Sequence, residues 1–258
     1  MKSTLIYFKV ILFYLCSMAL FATSNAIFHS SKFPELFSLI FAVFLTSGLI
    51  YIFIRWDKIS LMQIGLGYQK NWLSRFVAGF CIGAVMIGVM ALIITCLTPV
   101  IFERSPTFRW SQCALYIPLF LFVALREELV FRTYILWRLK DKIGPILSLI
   151  CVTVIFIAEH MMAGLSLKNS LIGSGLGALL FGIATLRTGN IALSAGLHFA
   201  WNSMHWMSGF KDNTGLYIEI VPKDSESSGE IVAYIAYSAV MLLGIITVIL
   251  LFRPQKNG

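Results

Sequence analysis

The segment CALYIPLFLFVALREELVFRTYILW, residues 113–137, combines a long apolar run with four ionisable side chains in its second half. At a rise of about 1.5 Å per residue, a helix of this length crosses the roughly 30 Å hydrocarbon core of a bilayer. Ionisable side chains are costly at membrane depth and usually mark a functional site there. The segment therefore predicts a transmembrane helix that carries a polar site.

The rest of the chain has the same apolar character. Of its 258 residues, 59% are hydrophobic and only 12% are charged, a composition that does not suit a soluble domain. Repeated apolar runs of spanning length predict an all-α, polytopic membrane helical bundle with about eight transmembrane helices. The predicted spans are 10–28, 33–54, 73–98, 113–137, 144–163, 169–187, 190–208 and 231–252.

The lysines and arginines of the connecting segments predict the orientation, because cytoplasmic loops carry an excess of them. With the N-terminus inside, twelve fall on the inner side and six on the outer side, so both termini are predicted to be cytoplasmic. This distribution also accounts for the net charge of +8, and no nucleic acid partner is expected. The segment 209–230 is predicted to be an exposed outer loop. The short loops favour a bacterial cytoplasmic membrane.

The chain is predicted to form a single membrane domain with three parts. These are N-terminal transmembrane helices at 1–112, a core at 113–208, and the outer loop with the last helix at 209–258. The first apolar stretch has a second interpretation, because it follows two lysines and ends in ATSNA at 22–26, a pattern typical of a cleavable signal peptide. Both interpretations of this stretch stay open.

Two adjacent glutamates dominate the polar part of the fourth predicted span. Glu128 and Arg132 have the spacing and the order that favour an ion pair on one helix, which leaves Glu127 without an obvious local partner. An isolated carboxylate in a partly wet cavity of low dielectric is a better general base than a surface glutamate. Glu127 is therefore the candidate base. The alternative is a charge network of both acids with Arg126 and Arg132 that performs no chemistry.

Further polar side chains lie on two other predicted spans. His198 and Asn202 are one helical turn apart on the same face, and His205 continues that face. His198 and Asn202 together could offer hydrogen bonds to a developing oxyanion or to a bound water. His160, with Glu159 beside it, is the third element. Each histidine could instead serve helix packing, since polar side chains also join helices in membranes.

In sequence order, the motifs are EExxxR at 127–132, FxxxH at 156–160 and HxxxN at 198–202. This arrangement on three hydrophobic helices resembles the CPBP family of intramembrane proteases. That family contains the Ras-converting CAAX endopeptidases and bacterial Abi proteins linked to bacteriocin self-immunity. The resemblance covers the core from about residue 113 to residue 208.

The resemblance implies a role for each matched residue. Glu127, assisted by His160, would activate a water molecule for peptide hydrolysis. His198 and Asn202 would stabilise the oxyanion of the transition state. The expected partners are a peptide or membrane-protein substrate and the lipid bilayer.

Glu128 and Arg132 look like supporting residues that hold this site. Family members are called metalloproteases, and Glu127, His160 and His198 could together hold zinc with one open position. The sequence leaves two alternatives, a bound divalent metal and a metal-free glutamate mechanism.

Other classes of membrane protein fit less well. The HExxH motif of zinc proteases is missing, and so are the GxSG and GxGD motifs of other intramembrane proteases. A non-catalytic immunity or secretion-accessory protein that acts by binding a partner is the main alternative. A small transporter that relays protons through buried carboxylates and histidines is another.

Simple depth estimates do not bring the histidines together. At about 1.5 Å per residue, His198 lies roughly 12 Å from the inner end of its predicted span, and His160 lies roughly 24 Å from the inner end of its own. Straight, full-length helices would therefore place the two side chains at different depths.

Overall fold

A computed structural model describes residues 2–222 and 225–253 and confirms the all-α bundle. Lys223 and Asp224 of the predicted outer loop, and the chain end after Arg253, lie outside the described residues. Two short strands, β1 (Ile101–Arg104) and β2 (Tyr217–Ile220), pair antiparallel. The helices are α1 (Lys2–Phe28), α2 (Pro34–Asp57), α3 (Trp72–Leu97), α4 (Cys113–Val130), α5 (Leu136–Met162), α6 (Gly175–Thr188), α7 (Ala192–Met207) and α8 (Glu226–Leu251).

Within the described residues, six helical stretches are long and apolar enough to cross a membrane, which shows a multi-pass membrane protein. The predicted count of about eight spans is not confirmed. The predicted spans 113–137 and 144–163 fall in one helical stretch, and the predicted span 190–208 is α7, whose 16 residues reach only about 24 Å. The six stretches are Thr4–Phe28, Pro34–Asp57, Trp72–Leu97, Trp110–Met162, Asn169–Thr188 and Glu226–Leu251.

The long stretch Trp110–Met162 folds back on itself. If it were straight, Arg126 and Glu159 would lie about 50 Å apart, yet they form an ion pair. Two breaks allow this return, a π-helical turn at Phe131–Ile135 and a kink at Gly144, where φ is +79° and a proline follows. Proline lacks the N–H of a regular helix, and glycine readily adopts positive φ. The predicted start of the span 144–163 is therefore a kink inside α5.

Helices α3 and α7 approach each other through glycine. A Cβ atom on Gly79 would lie 2.2 Å from the carbonyl oxygen of Leu193, and one on Gly196 would lie 2.0 Å from that of Phe76. Small residues let helix backbones come close in membranes, where lipid supplies no hydrophobic drive between helices. This contact fixes α7 against α3 two residues before His198.

The turn between α6 and α7 is covered by the segment that connects α2 and α3. Asn190 is buried, its Nδ2 donates to the carbonyl oxygen of Gly67 at 3.0 Å, and its Oδ1 accepts from the backbone N–H of Ala192 at 2.8 Å. The backbone N–H of Ile191 donates to the carbonyl oxygen of Gly65. Helix α7 thus begins inside the protein. The depth of His198 therefore cannot be counted from a helix end at the membrane surface.

A polar cluster joins the start of α1 and the end of α2 to α5. The carboxylate of Asp57 accepts hydrogen bonds from Lys9, from the hydroxyl of Tyr134 at 2.8 Å and from Nε of Arg138 at 2.8 Å. These partners come from α1, the π-helical turn and α5. Buried charges need such pairing, and here the pairing ties the N-terminal helices to the turn that follows the two glutamates.

The Gly79→Ala variant is expected to lose about 1–3 kcal/mol of stability, because the added methyl group collides with backbone atoms of α7. Gly88→Ala on the same helix is a matched control, since nothing lies within 4 Å of the Cβ position there. Thermal unfolding of the detergent-solubilised variants measures the difference. Equal melting temperatures for the two variants would contradict the close α3–α7 packing.

Candidate active site

The two glutamates lie in the last turn of α4, just before the helix widens. The backbone at Thr133 leaves helical geometry, with φ −105° and ψ −109°, and its hydroxyl donates to the carbonyl oxygen of Leu129. Single wide turns of this kind are frequent at functional sites. The turn sets the positions of Glu128 and Arg132, whose side chains are completely buried.

The predicted ion pair between Glu128 and Arg132 is present. Nε of Arg132 lies 3.8 Å from Oε1 of Glu128, and the guanidinium lies over the ring of Phe156, 4.7 Å from its centroid. Nη2 of Arg132 also reaches the carbonyl oxygen of Ala178 on α6 at 3.5 Å. The pair therefore connects the end of α4 to α5 and α6 through the interior of the bundle.

His198 lies between the two carboxylates. Its Nδ1 is 3.1 Å from Oε1 of Glu128, and its Nε2 is 3.5 Å from Oε2 of Glu127. The imidazole stacks on the ring of Phe181, with centroids 4.4 Å apart and planes inclined by 13°. An ionised carboxylate only accepts hydrogen bonds, so Nδ1 donates to Glu128 and Nε2 is the ring atom available beside Glu127.

His160 and Asn202 complete the set that the sequence predicts. Nδ1 of His160 donates to the carbonyl oxygen of Phe156 at 2.9 Å, and the imidazole packs on the Phe156 ring, which leaves Nε2 available. Nδ2 of Asn202 is buried and has no hydrogen-bond partner among the described residues. A buried amide without a partner is a donor for a ligand.

These side chains share the wall of one cavity, which has a volume of about 680 Å³. Glu127, His160, His198 and Asn202 all line it, and His205 lies further along the same wall. The two histidines thus reach the wall of one cavity, although straight, full-length helices would place them at different depths. The fold-back of α4 and α5 and the buried start of α7 bring them to one place.

Two residues of the site region were not assigned a role from the sequence. Arg126 forms an ion pair with Glu159, and Glu159 also accepts from the hydroxyl of Tyr14 at 3.2 Å. Each partner is the sequence neighbour of a candidate residue, Arg126 of Glu127 and Glu159 of His160. Their adjacency was visible in the sequence, but a pairing across 33 positions has no local sequence signal.

The residues present do not form a metal site as they are arranged. Among the residues that the structure describes, no three His, Cys, Asp or Glu side chains come together in a way that could hold a metal ion. His198 has the hydrogen bond from Nδ1 to a carboxylate that is typical of metal-bound histidines. That feature alone is not a ligand set, so no step below is routed through a metal.

Lys211, on the segment after α7, lies at the mouth of the cavity. Its ammonium lies 4.6 Å from the centroid of the Phe120 ring. Protein atoms around the ammonium desolvate it and lower the pKa of Lys211, although the residue as a whole is exposed and Glu127 and Asp212 act in the opposite direction. Burial also raises the pKa of Glu219 on β2, which lines the same cavity. Ionisable groups are therefore concentrated at this entrance.

Removing Arg132 is expected to destabilise the protein strongly. The Arg132→Ala variant leaves Glu128 buried without its guanidinium, which typically costs about 3–5 kcal/mol. Lys168→Ala is the control, because it breaks an ion pair with Glu230 whose partners are both more than half exposed and which contributes at most about 1 kcal/mol. Expression level and thermal unfolding measure both changes. An Arg132→Ala variant as stable as the Lys168→Ala variant would contradict the supporting role.

Residues 109–204 match the family model of the Rce1-like type II CAAX prenyl endopeptidases. The matched segment contains all three motifs, with Glu127, Glu128, Arg132, His160, His198 and Asn202. No curated protein and no solved structure matches the chain. The match confirms the family predicted from the motifs: residues 109–204 of this membrane protein are similar to the Rce1-like CAAX prenyl endopeptidases.

Proposed function

We propose that this protein is an intramembrane endopeptidase that hydrolyses a peptide bond with a water molecule activated by Glu127. The observation that carries the proposal is the position of Glu127, whose Oε2 lies 3.5 Å from Nε2 of His198 in a cavity that His160 and Asn202 also line. The cavity provides a carboxylate base and two kinds of hydrogen-bond donor in one place. These are the parts that hydrolysis of an unreactive amide requires.

Glu127 acts as general base in this mechanism. It takes a proton from water, and the oxygen of that water forms a bond to the carbonyl carbon of the substrate. Nε2 of His160 assists by orienting the water, since its Nδ1 is held by the carbonyl oxygen of Phe156. Glu127 then returns the proton to the leaving amine as the carbon–nitrogen bond breaks.

His198 and Asn202 stabilise the oxyanion that forms on the carbonyl oxygen. Asn202 contributes its unpartnered Nδ2–H. His198 contributes through Nε2 when that atom carries a proton, while Nδ1–H continues to donate to Glu128. Donors that are already in position need no reorganisation during the reaction, which makes such stabilisation effective.

Glu128 and Arg132 are proposed to support the site without touching the substrate. Their ion pair holds the imidazole of His198 through Oε1 of Glu128. A zinc ion held by Glu127, His160 and His198 stays a prediction, and metal analysis of the purified protein is its direct test.

The substrate is proposed to be a peptide or a membrane protein that reaches the cavity from the lipid bilayer. Lining residues at the mouth, among them Asn169, Lys211 and Glu230, belong to the end of the bundle where α5 connects to α6 and α7 to α8. The excess of Lys and Arg at the opposite end predicts that this mouth faces outward in a bacterial cytoplasmic membrane with both termini inside. The alternative is a non-catalytic immunity or secretion-accessory protein that acts by binding a partner. The next experiment distinguishes it from a protease.

Glu127→Ala is expected to abolish proteolysis while the protein stays folded and inserted, because the general base is lost and the structural ion pairs remain. New peptide termini are compared in membranes from cells that make the wild type or the variant at matched levels. Termini that depend on Glu127 establish a protease and identify its substrates. Identical profiles, with a cellular phenotype that survives the mutation, would indicate a binding protein instead.

Asn202→Ala is expected to lower kcat by about 10²–10³-fold with little change in KM, as is typical when one oxyanion donor is removed. Asn213→Ala provides the matched control, because Asn213 is exposed and lines neither cavity described in this protein. Steady-state kinetics on a substrate identified from the termini measure both variants. A loss confined to KM would assign Asn202 to substrate binding instead of transition-state stabilisation.

A further inference from the structure

A second cavity, of about 570 Å³, lies beside the first. The two cavities share Val123, Glu127, His160 and Lys211, so the proposed base and its assisting histidine form part of both walls. Nearly half of the side chains that line the second cavity are ionisable. Its polar lining includes Asn25, Glu35, Arg126, Glu159, Lys211 and Asp212.

The second cavity runs from exposed residues to a buried end. Asn25, Glu35 and Asp212 are exposed, whereas Arg126 and Glu159 form a nearly buried ion pair. Charged walls of this kind favour water, because apolar groups inside the cavity would leave the charges without hydration. Apolar side chains such as Leu39 and Phe120 share this wall, and the charged side chains lead from the protein surface to Glu127.

The first cavity is the larger of the two. Its wall includes large apolar side chains such as Met90, Phe181, Trp201 and Met241, which suit an apolar peptide segment. A substrate that fills this cavity displaces the water in it. Hydrolysis nevertheless consumes one water molecule for each peptide bond, and the surrounding lipid contains none.

We propose that the second cavity is the water route to Glu127, open while the substrate occupies the first cavity. This inference rests on the proposed peptidase function. One water enters for each turnover, its oxygen joins the carbonyl carbon, and one of its protons leaves on the amine through Glu127. The ion pair between Arg126 and Glu159 keeps the inner end of the route polar and holds α4 and α5 together next to Glu127 and His160.

Ala163 offers a way to close the route without touching the first cavity. It is exposed, it follows His160 by one turn, and it lines only the second cavity. Ala163→Trp is expected to lower kcat at least about tenfold while KM stays within about twofold, because water delivery is impaired and substrate binding is not. Ala158→Trp is the matched control, since Ala158 is exposed on the same helix and lines neither cavity.

The outcomes separate the inference from the function on which it rests. A wild type without Glu127-dependent cleavage would overturn the peptidase function. An active wild type with equal kcat for the two tryptophan variants would overturn the water route alone. A rise in KM with unchanged kcat in Ala163→Trp would also overturn it, because the second cavity would then hold part of the peptide.

Chemical labelling after folding tests the same route without a bulky residue that could disturb folding. Ala163→Cys is made and folded first, and a small thiol reagent then fills the route. The reagent is expected to lower kcat of Ala163→Cys at least about tenfold and to leave the wild type and Ala158→Cys unchanged. Native cysteines do not interfere, since none lines either cavity within the described residues. Full activity of the modified Ala163→Cys protein would contradict the route.

Discussion

The buried carboxylate of Glu128 is the charge on which the arrangement of the site depends. An ionised group that is removed from water is tolerated only when opposite charges and hydrogen bonds replace its hydration. Arg132 provides the charge from the turn after α4, and His198 provides the hydrogen bond from α7. Because both partners must stay within reach, three separate parts of the chain are held in one geometry. The imidazole of His198 is oriented toward Glu127 as a consequence.

The remaining charges divide into paired and unpaired sets along the same helices. Arg126 pairs with Glu159, and Arg132 pairs with Glu128, which leaves neither guanidinium for Glu127. A carboxylate held by a guanidinium is a weak base, because the positive charge stabilises its ionised form. Successive side chains on a helix point about 100° apart, so Glu127 faces the cavity between two paired neighbours. This separation is what allows one short segment to supply both support and the proposed chemistry.

Helix packing places the partners of Glu127 at the required depth. Gly79 and Gly196 let α3 and α7 approach closely, and the segment before α3 covers the turn from which α7 begins. Helix α7 is therefore short and begins within the bundle. The fold-back of α4 and α5 brings His160 to the same cavity. Two cavities then meet at Glu127 and His160, an arrangement suited to bringing a peptide and water together.

The membrane class, the ion pair between Glu128 and Arg132, and the family could all be predicted from the sequence, because hydrophobicity, helical spacing and short motifs are local properties. The pairing of Arg126 with Glu159, the buried start of α7 and the placement of His160 and His198 on the wall of one cavity appear only in the tertiary structure. These features depend on a kink at Gly144, a buried turn and a close helix contact. No local pattern encodes them, since each results from backbone atoms of one segment meeting those of another far along the chain. The roles proposed for Glu127, His160, His198 and Asn202 come from the resemblance of the motifs, and the geometry names the atom that each proposal concerns.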